Sequence, residues 1–216
     1  MAPGQAPGPE QIFDSMSFAL AGLAESWGAR ATTSEPMADE ESGIAGAMKA
    51  ALDQHDLVVV VGGASVGDHD HARPAARALG AEFLFEKVAV RPGKPTWFAR
   101  IGDKAILGLP GNPASAFVCA RLFLRPLLDA LCGRDPAQSI RTTPAHTQTA
   151  LAANGPRETY LRAHTQIGDT AEVWTTVAAD QDSSLMRVLA DANALVVRAP
   201  GAPTAPAGAI VDTLTL

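Results

Sequence analysis

The chain has 216 residues, a formal net charge of −6 and a hydrophobic share of 47%. This length and composition suffice to bury a sizeable core, in one large or two modest domains. The acidic excess excludes a general positive field for nucleic acid, so local groups must hold any phosphate-bearing ligand. Because no apolar run approaches about 18 residues and no signal-peptide pattern opens the sequence, we expect a cytoplasmic protein without a nucleic-acid or membrane partner.

The first part of the chain predicts two helices after a flexible lead-in. Residues 1–10 are rich in Pro, Gly and Ala and show no periodicity, which is typical of a flexible segment. A helix capped by Asp14 or Ser15 follows, and residues 29–34 predict a weak strand. Asp39 then lies in the first turn of a second helix, where acidic residues suit the helix dipole.

The chain is organised around one apolar strand and the glycine turn after it. Residues 57–61 read Leu-Val-Val-Val-Val, which predicts a strand covered on both faces by helices. Gly62 and Gly63 end the strand, and glycine lets the backbone turn sharply and lie against a ligand. Asp68 and Asp70 place two carboxylates just beyond the strand, where open α/β sheets bind their ligands.

Strand and helix signals alternate along the following residues. A short helix is predicted over residues 71–79 and a strand over residues 83–90, before a turn at residues 91–95. Residues 96–109 predict a hairpin that reverses at Gly102-Asp103. The alternation predicts an α/β fold with a mostly parallel sheet between helices.

A second glycine turn repeats the order of strand, glycine turn and helix start. It covers residues 108–115, Gly-Leu-Pro-Gly-Asn-Pro-Ala-Ser, and Pro113 takes a favoured first helical position. Residues 116–131 predict the longest apolar helix, in which Cys119 and Cys132 are interpreted as reduced packing residues. We expect the two glycine turns to face one pocket.

The composition changes to Pro, Thr, Gln and Ser near residue 135, which indicates a linker over residues 135–145. The preceding α/β domain is then predicted over residues 11–134, and a small all-β, barrel-like or sandwich domain over residues 146–216. Its strand-like segments are residues 146–152, 159–167, 172–177, 194–198 and 210–216, with one helical turn at residues 184–189.

The first glycine turn has a functional interpretation and two alternatives. Its N–H groups and the Ser65 hydroxyl can hold an anion, while Asp68 and Asp70 can hold a hard cation through oxygen. The turn can also be a tight strand-to-helix connection with a capping aspartate. Zinc binding by residues 68–71 is disfavoured, because four adjacent ligands do not easily converge on one tetrahedral ion.

Cations and a helix start offer a second set of anion-binding groups. Arg91 and Lys94 flank the Pro-Gly turn of residues 91–95, the basic turn, and Lys87 lies upstream on the same predicted strand. These side chains can neutralise phosphate, or they can simply be solvated surface residues. Asn112 and Ser115 lie at the start of the long helix, where either phosphate binding or simple capping fits.

Taken together, these segments resemble the C-terminal half of the molybdopterin molybdenumtransferases, the family that includes bacterial MoeA and the E domain of gephyrin. The resemblance rests on six motifs in order: Gln-Ile-Phe-Asp-Ser at residues 11–15, Gly-Gly-Ala-Ser-Val-Gly-Asp at 62–68, Arg-Pro-Gly-Lys-Pro at 91–95, Leu-Pro-Gly-Asn-Pro-Ala-Ser at 109–115, Tyr-Leu-Arg at 160–162 and Gln-Asp-Ser at 181–183.

The resemblance implies a molybdopterin-binding α/β domain, a small C-terminal β domain and a homodimer. It also implies an activity: transfer of molybdate to adenylylated molybdopterin, with Mg²⁺ and release of AMP. The candidate catalytic residues are then Asp39, Asp70, Lys87 and Arg91, and the candidate metal ligands are Asp68 and Asp70. The candidate substrate-binding residues are Gly62, Gly63, Ser65, Gly67, Lys94, Pro110, Gly111, Asn112, Pro113, Ser115, Arg162 and Ser183.

The sequence departs from the family's pattern in several places. Arg91 stands where the family usually has lysine, Met16 replaces a usual asparagine, and Val60-Val61 replaces a hydroxyl-bearing pair. The family's N-terminal half has no counterpart in this sequence. Two alternatives therefore stay open: a module that binds molybdopterin without turnover, and a molybdopterin adenylyltransferase, which the second domain disfavours.

Overall fold

The computed structural model of the chain describes residues 8, 14–37, 40–62, 71–169, 171–182 and 185–216. The helical segments are α1 (Met16–Ser26), α2 (Glu41–Gln54), α3 (Ala72–Ala78), α4 (Pro113–Cys119), a π-helical segment (Ala120–Leu124), α5 (Arg125–Leu131), α6 (Pro136–Ser139) and α7 (Met186–Ala190). The strands are β1 (Leu57–Val61), β2 (Glu82–Phe85), β3 (Val90–Arg91), β4 (Trp97–Ile101), β5 (Lys104–Leu109), β6 (Thr143–Thr147), β7 (Glu158–Ile167), β8 (Val173–Val177), β9 (Ala194–Arg198) and β10 (Ile210–Thr215).

The first sheet is mixed and has the strand order β1-β5-β4-β2. Strand β1 pairs parallel with β5, whereas β4 pairs antiparallel with both β5 and β2. The prediction of a mostly parallel sheet is therefore wrong. The physical reason is the turn at Gly102-Asp103, because so short a connection joins only antiparallel strands and places β4 inside the sheet.

Helices cover both faces of the first sheet, as the apolar sequence of β1 predicts. On one face, Val59 packs with α1 and with the helical residues 113–131 around the buried Leu20 and Leu124. On the other face, Val58 packs with α2 and α3 around Met48 and Ala76. Every residue of β1 is nevertheless only half-buried, because the strand lies at the edge of the sheet.

The first helix begins at a side-chain cap. The Asp14 carboxylate accepts hydrogen bonds from the N–H groups of Met16 and Ser17, both at 3.1 Å, and from the Ser17 hydroxyl at 2.5 Å. Burial opposes ionisation of Asp14, but the hydrogen bonds from Ser17 and Met16 outweigh it and lower the pKa of this carboxyl group. Asp14 is thus the capping residue of the two candidates.

Segments α4, π and α5 form one continuous helix over residues 113–131, here called the long helix. Pro113 occupies its first turn, and Gly133, with φ of +72°, follows its end. Near that end, the buried Asp129 accepts hydrogen bonds from Arg125 at 2.9 Å and from Arg134 at 2.6 Å. Arg134 also donates to the Trp27 carbonyl at 2.7 Å, which ties the end of α1 to the end of the long helix.

The second sheet has the order β3-β7-β8-β6-β10-β9, and an additional pairing between β7 and β9 closes it. The first half of β7 pairs with β9 and the second half with β8, so five strands form a ring. Apolar side chains from Leu151, Ala163, Val196 and Val211 fill one of its core clusters. This arrangement agrees with the barrel-like β unit that the sequence predicts.

The two sheets are joined through β3 and through the helical residues 113–131. Strand β3 comes from the first part of the chain but pairs parallel with β7, with Val90 opposite Glu158. Val118 and Leu122 of the long helix pack against Leu195 and Leu214 of the second sheet. The second sheet is therefore not built from the C-terminal residues alone.

Several predicted elements differ in the structure. Residues 29–34 are irregular, so the weak strand predicted there is wrong. The strand predicted over residues 83–90 is divided between β2 and β3, because the chain leaves the first sheet after Phe85 to pair with β7. The predicted linker at residues 135–145 contains α6 and the start of β6. The domain boundaries stay a prediction.

Neither cysteine forms a disulfide: Cys119 is buried and Cys132 is exposed. The packing role expected from sequence thus applies to Cys119 but not to Cys132, which follows the last residue of α5. Within the described residues, none of the helices has the length and apolar character needed to cross a membrane.

Candidate functional site

The two glycine turns start side by side at one edge of the first sheet. Val61 of β1 is paired with Leu109 of β5, and the Gly62 N–H donates to the Leu109 carbonyl at 3.2 Å. A Cβ atom placed on Gly111 would lie 3.2 Å from the Gly62 Cα. Gly62 has φ of +87°, which favours glycine. Backbone therefore touches backbone where the two turns begin. The rest of the first turn, residues 63–70, lies outside the described residues, so the shared pocket stays a prediction.

The second turn leads directly into the long helix. Asn112 is extended and precedes it, and the Asn112 carbonyl accepts the Ala116 N–H at 2.9 Å. The Asn112 Oδ1 atom is buried and has no hydrogen-bond partner among the described residues. Ser115 is buried in the first turn of the helix. N–H groups in the first turn of a helix have no partner within the helix and suit an anionic ligand. The Asn112 Oδ1 is an acceptor and suits a ligand group that donates a hydrogen bond.

The basic turn is folded back on itself and carries exposed cations. The Val88 N–H donates to the Lys94 carbonyl, and the Thr96 N–H donates to the Gly93 carbonyl, both at 3.0 Å. Arg91 and Lys94 are exposed. Lys87 is exposed as well, but it lies between β2 and β3 rather than on the strand expected from sequence.

The carboxylates predicted to act in the site fall outside the described residues. These are Asp39, Asp68 and Asp70, and Gly63, Ser65, Gly67 and Ser183 lie outside them too. Their described neighbours do converge: Glu40 and Glu41 at the start of α2 and His71 before α3 line one open cleft of about 610 Å³. Within the described residues, no group of three or more His, Cys, Asp or Glu side chains could hold a metal ion.

Arg162 is buried in the second sheet and supports a loop. Its Nη1 donates to the carbonyls of Asp182 at 2.9 Å and Leu185 at 3.3 Å, and its own N–H donates to the Gln181 side chain at 2.9 Å. Burial lowers the pKa of this guanidinium, and the carboxylate of Asp180 opposes that change. Arg162 therefore fixes the residues on either side of Ser183, a role that the Tyr-Leu-Arg motif alone does not indicate.

A second cavity, of about 240 Å³ and almost entirely apolar, lies between α1, the long helix and α7. Leu23, Trp27, Phe117 and Met186 contribute to its wall. None of the candidate residues that the structure describes lines this cavity. The polar groups predicted to bind a ligand are therefore separate from it.

Comparison with known proteins shows to which class of protein the chain belongs. Residues 4–130 match the family described as "Probable molybdopterin binding domain", and residues 144–216 match the "MoeA C-terminal region (domain IV)". The first match contains both glycine turns and the basic turn. The fold and the site thus assign the chain to the class of proteins with a molybdopterin-binding domain.

The curated relatives specify the class further. The molybdopterin molybdenumtransferase of Staphylococcus aureus (strain COL) is 33% identical over 178 residues, which are 82% of this chain and 41% of that protein. That of Bacillus subtilis (strain 168) is 33% identical over 170 residues, 79% of this chain and 39% of that protein. The chain belongs to the molybdopterin molybdenumtransferase (MoeA) family. It spans about two fifths of the length of these relatives.

Solved structures agree on the fold. The molybdopterin biosynthesis MoeA protein from Pyrococcus horikoshii superposes with a TM-score of 0.83 at 24% identity, over the whole of this chain and 51% of that one. A molybdenum cofactor biosynthesis protein from Pyrococcus furiosus gives a TM-score of 0.74 at 20% identity, over 94% of this chain and 65% of that one.

Proposed function

We propose that this chain provides the molybdopterin-binding part of a molybdopterin molybdenumtransferase in molybdenum cofactor biosynthesis. The reaction would insert molybdate into adenylylated molybdopterin and release AMP. The observation that carries the proposal is the contact between Gly62 and Gly111, where the two glycine turns begin, beside the start of the long helix. Membership of the family indicates that the ligand bound at this edge would be molybdopterin.

The described residues offer complementary groups for a phosphorylated pterin. N–H groups at the start of the long helix would bind phosphate oxygens, and Ser115 would add a hydroxyl. The unpartnered Asn112 Oδ1 would accept a hydrogen bond from an N–H group of the pterin, which removes the cost of leaving a buried polar atom unsatisfied. Arg91 and Lys94 would neutralise the pyrophosphate, Arg91 as a planar fork and Lys94 as a point charge.

Mg²⁺ suits the carboxylates that follow the first glycine turn in the sequence. Asp68 and Asp70 would supply carboxylate oxygens, which are the ligands that hard divalent cations prefer. Glu40 and Glu41 add negative charge to the cleft that the neighbouring His71 also lines. Asp68 and Asp70 would hold the ion, which would supply Lewis-acid assistance to phosphoanhydride cleavage. Asp39 and Lys87 would contribute further charge, and the protein would act mainly by positioning and charge stabilisation.

The test is an assay of the purified full chain with adenylylated molybdopterin, molybdate and Mg²⁺. We expect binding of the adenylylated pterin, release of AMP and formation of molybdenum cofactor. Asp70→Asn should abolish turnover while the thermal unfolding midpoint stays unchanged, because the substitution is nearly isosteric. Asp212→Asn, at an exposed position on β10, is the matched control and should leave turnover unchanged. Unaltered turnover in Asp70→Asn would show that the metal site is placed wrongly.

A second function is that of a module that binds molybdopterin without catalysis. The groups that the structure describes at the second glycine turn, Asn112 and Ser115, suit the binding of a ligand and supply no candidate acid or base. Tight binding of adenylylated molybdopterin without AMP release selects this function, whereas absence of binding rejects both functions.

A further inference from the structure

The backbone of the basic turn lies directly on one side chain of the long helix. Gly93 is buried with φ of +116°, and a Cβ atom placed there would lie 2.1 Å from the Cys119 Sγ. Only a residue without a side chain leaves room for this contact. The turn between the two cations is therefore held against the helix at a fixed distance.

Thr96 links the same turn to the same cysteine. It is fully buried, its hydroxyl donates to the Gly93 carbonyl at 2.8 Å, and its Oγ1 lies 3.2 Å from the Cys119 Sγ. Burial raises the pKa of the Cys119 thiol to about 12, so the thiol stays neutral and acts as a packing and hydrogen-bonding partner. Thr96 and Cys119 together form a buried contact beneath the basic turn.

The position of Cys119 on the helix relates the basic turn to the glycine turns. Cys119 follows Ser115 by four residues, so both lie on one face of the helix, about 6 Å apart along its axis. The other side of the basic turn is held by the second sheet, where Arg91 pairs with Thr159 and Arg157 donates to the Val90 carbonyl at 3.3 Å. The turn is thus fixed one helical turn beyond the buried Ser115.

We propose that Thr96 and Cys119 are positioning residues. They fix the position of the basic turn, and hence of its cations, relative to the start of the long helix. This inference rests on the proposed function, because it assigns Arg91 and Lys94 to a phosphate of the same ligand as Asn112 and Ser115. Thr96 and Cys119 are both fully buried beneath the turn, so they would act through the turn and not by contact with the ligand. Loss of the Thr96 hydroxyl removes one of the hydrogen bonds to the Gly93 carbonyl, to which the Thr96 N–H still donates, and also the contact with the Cys119 Sγ. The turn can then move away from the helix.

The test compares Thr96→Val, which removes the hydroxyl at nearly constant volume, with Thr96→Ser, which keeps it. Thr147→Val is the matched control, because Thr147 is also fully buried and donates to a backbone carbonyl, that of Thr149, in the second sheet. We expect Thr96→Val to weaken binding of adenylylated molybdopterin about tenfold. This is the effect of losing one charge-assisted hydrogen bond between a cation of the basic turn and the phosphate. Its affinity should also depend less on ionic strength, because fewer cations face the ligand.

Thr96→Ser should bind within about twofold of the unmodified chain, and Thr147→Val should lose stability without losing affinity. Equal affinity and equal salt dependence in Thr96→Val and the unmodified chain would overturn the positioning role. A loss in Thr147→Val as large as that in Thr96→Val would also overturn it, because the effect would then follow from general destabilisation.

A ligand-free measurement separates this inference from the proposed function. The Val88 N–H, which donates to the Lys94 carbonyl, reports the closure of the basic turn through amide hydrogen exchange. We expect faster exchange of this N–H in Thr96→Val and Cys119→Ala than in Thr147→Val. If the unmodified chain binds no adenylylated molybdopterin, the proposed function fails; if Val88 exchange is unchanged in both variants, the positioning role fails.

Discussion

Gly111 and Gly62 are so close that a single added methyl group would press on the backbone of the neighbouring turn, 3.2 Å from the Gly62 Cα. The two glycines belong to different turns and stand 49 positions apart in the sequence. Their proximity follows from the parallel pairing of β1 with β5, which ends at Val61 and Leu109. The relationship therefore depends on strand order as well as on glycine content.

Gly111→Ala should weaken binding of adenylylated molybdopterin about tenfold, because a shift of a few tenths of an ångström in either turn misplaces the ligand. The free energy of unfolding should fall by less than about 1 kcal/mol, since φ at Gly111 is not in the left-handed region. Isothermal titration and urea denaturation measure the two effects.

Gly46→Ala is the matched control for that substitution. Gly46 lies in the exposed part of α2, and nothing within 4 Å would meet its Cβ. It should raise the free energy of unfolding by about 0.5–1 kcal/mol and leave affinity unchanged. An unchanged affinity in Gly111→Ala would show that the two turns do not share a ligand.

Gly108→Ala should destabilise the first sheet severely. Gly108 lies opposite Trp97, and a Cβ there would stand 2.0 Å from the buried indole ring. Because no space is left between Gly108 and the indole, we expect a loss of about 3 kcal/mol in the free energy of unfolding, the upper end of the usual cost of overpacking.

A double-mutant cycle with Trp97→Phe keeps this prediction measurable when Gly108→Ala alone does not fold. The smaller ring lacks the indole nitrogen, so Gly108→Ala should cost at least about 1 kcal/mol less in the Trp97→Phe background. Equal costs in both backgrounds would contradict the contact with the indole.

Asp129→Asn should lower stability at pH 7 by about 1–3 kcal/mol, because it removes a buried charge that accepts from Arg125 and Arg134. Desolvation opposes ionisation of Asp129, but these hydrogen bonds outweigh it and lower the pKa of the carboxyl group. The contribution is therefore fully present above the ordinary pKa of about 3.9 and is lost as pH falls through the lowered value.

Urea denaturation at pH 7 and near pH 2 measures this effect for Asp129→Asn. The difference from the unmodified chain should shrink at the lower pH. Asp191→Asn is the control, because Asp191 forms an exposed pair with Arg187 at 3.8 Å and should contribute less than about 0.5 kcal/mol. A pH-independent loss in Asp129→Asn would contradict the assignment to charge.

Tyr160, the single tyrosine of the chain, should resist ionisation while the protein is folded. Burial raises the pKa of its hydroxyl, and the hydrogen bond to Glu158 and the charge of that residue raise it further. The unfolded chain therefore loses this proton first, near the ordinary value of about 10, and stability falls as pH rises above it.

Ultraviolet absorbance of tyrosinate measures this titration without interference from other tyrosines. We expect tyrosinate to appear together with unfolding, monitored by circular dichroism. Glu158→Gln should move the titration towards the ordinary value, since it removes the negative charge but keeps the burial. Ionisation near pH 10 with the fold intact in the unmodified chain would rule out the burial of this hydroxyl.

The local elements of this protein could be read from the sequence, because caps, turns and periodicity act over a few residues. The hairpin at Gly102-Asp103, the long helix between Pro113 and Gly133 and the strand-rich second part were all predicted, and the structure has them. The motif order was also sufficient to indicate the molybdopterin molybdenumtransferase family.

Strand partners could not be read in the same way, because they depend on contacts between residues far apart in the chain. The sequence around residues 83–90 predicts one strand, yet the chain leaves the first sheet and Val90 pairs with Glu158 in the second. The pairing of β4 with β2 and the burial of Arg162 beside Gln181 likewise follow from contacts between distant segments.

Residue identity by itself thus determined the helices, the turns and the chemical character of the candidate groups. Only the tertiary structure decided that Gly62 contacts Gly111 and that Gly93 contacts Cys119. Both contacts join segments that are far apart in the sequence and meet only when the sheet and the long helix pack together.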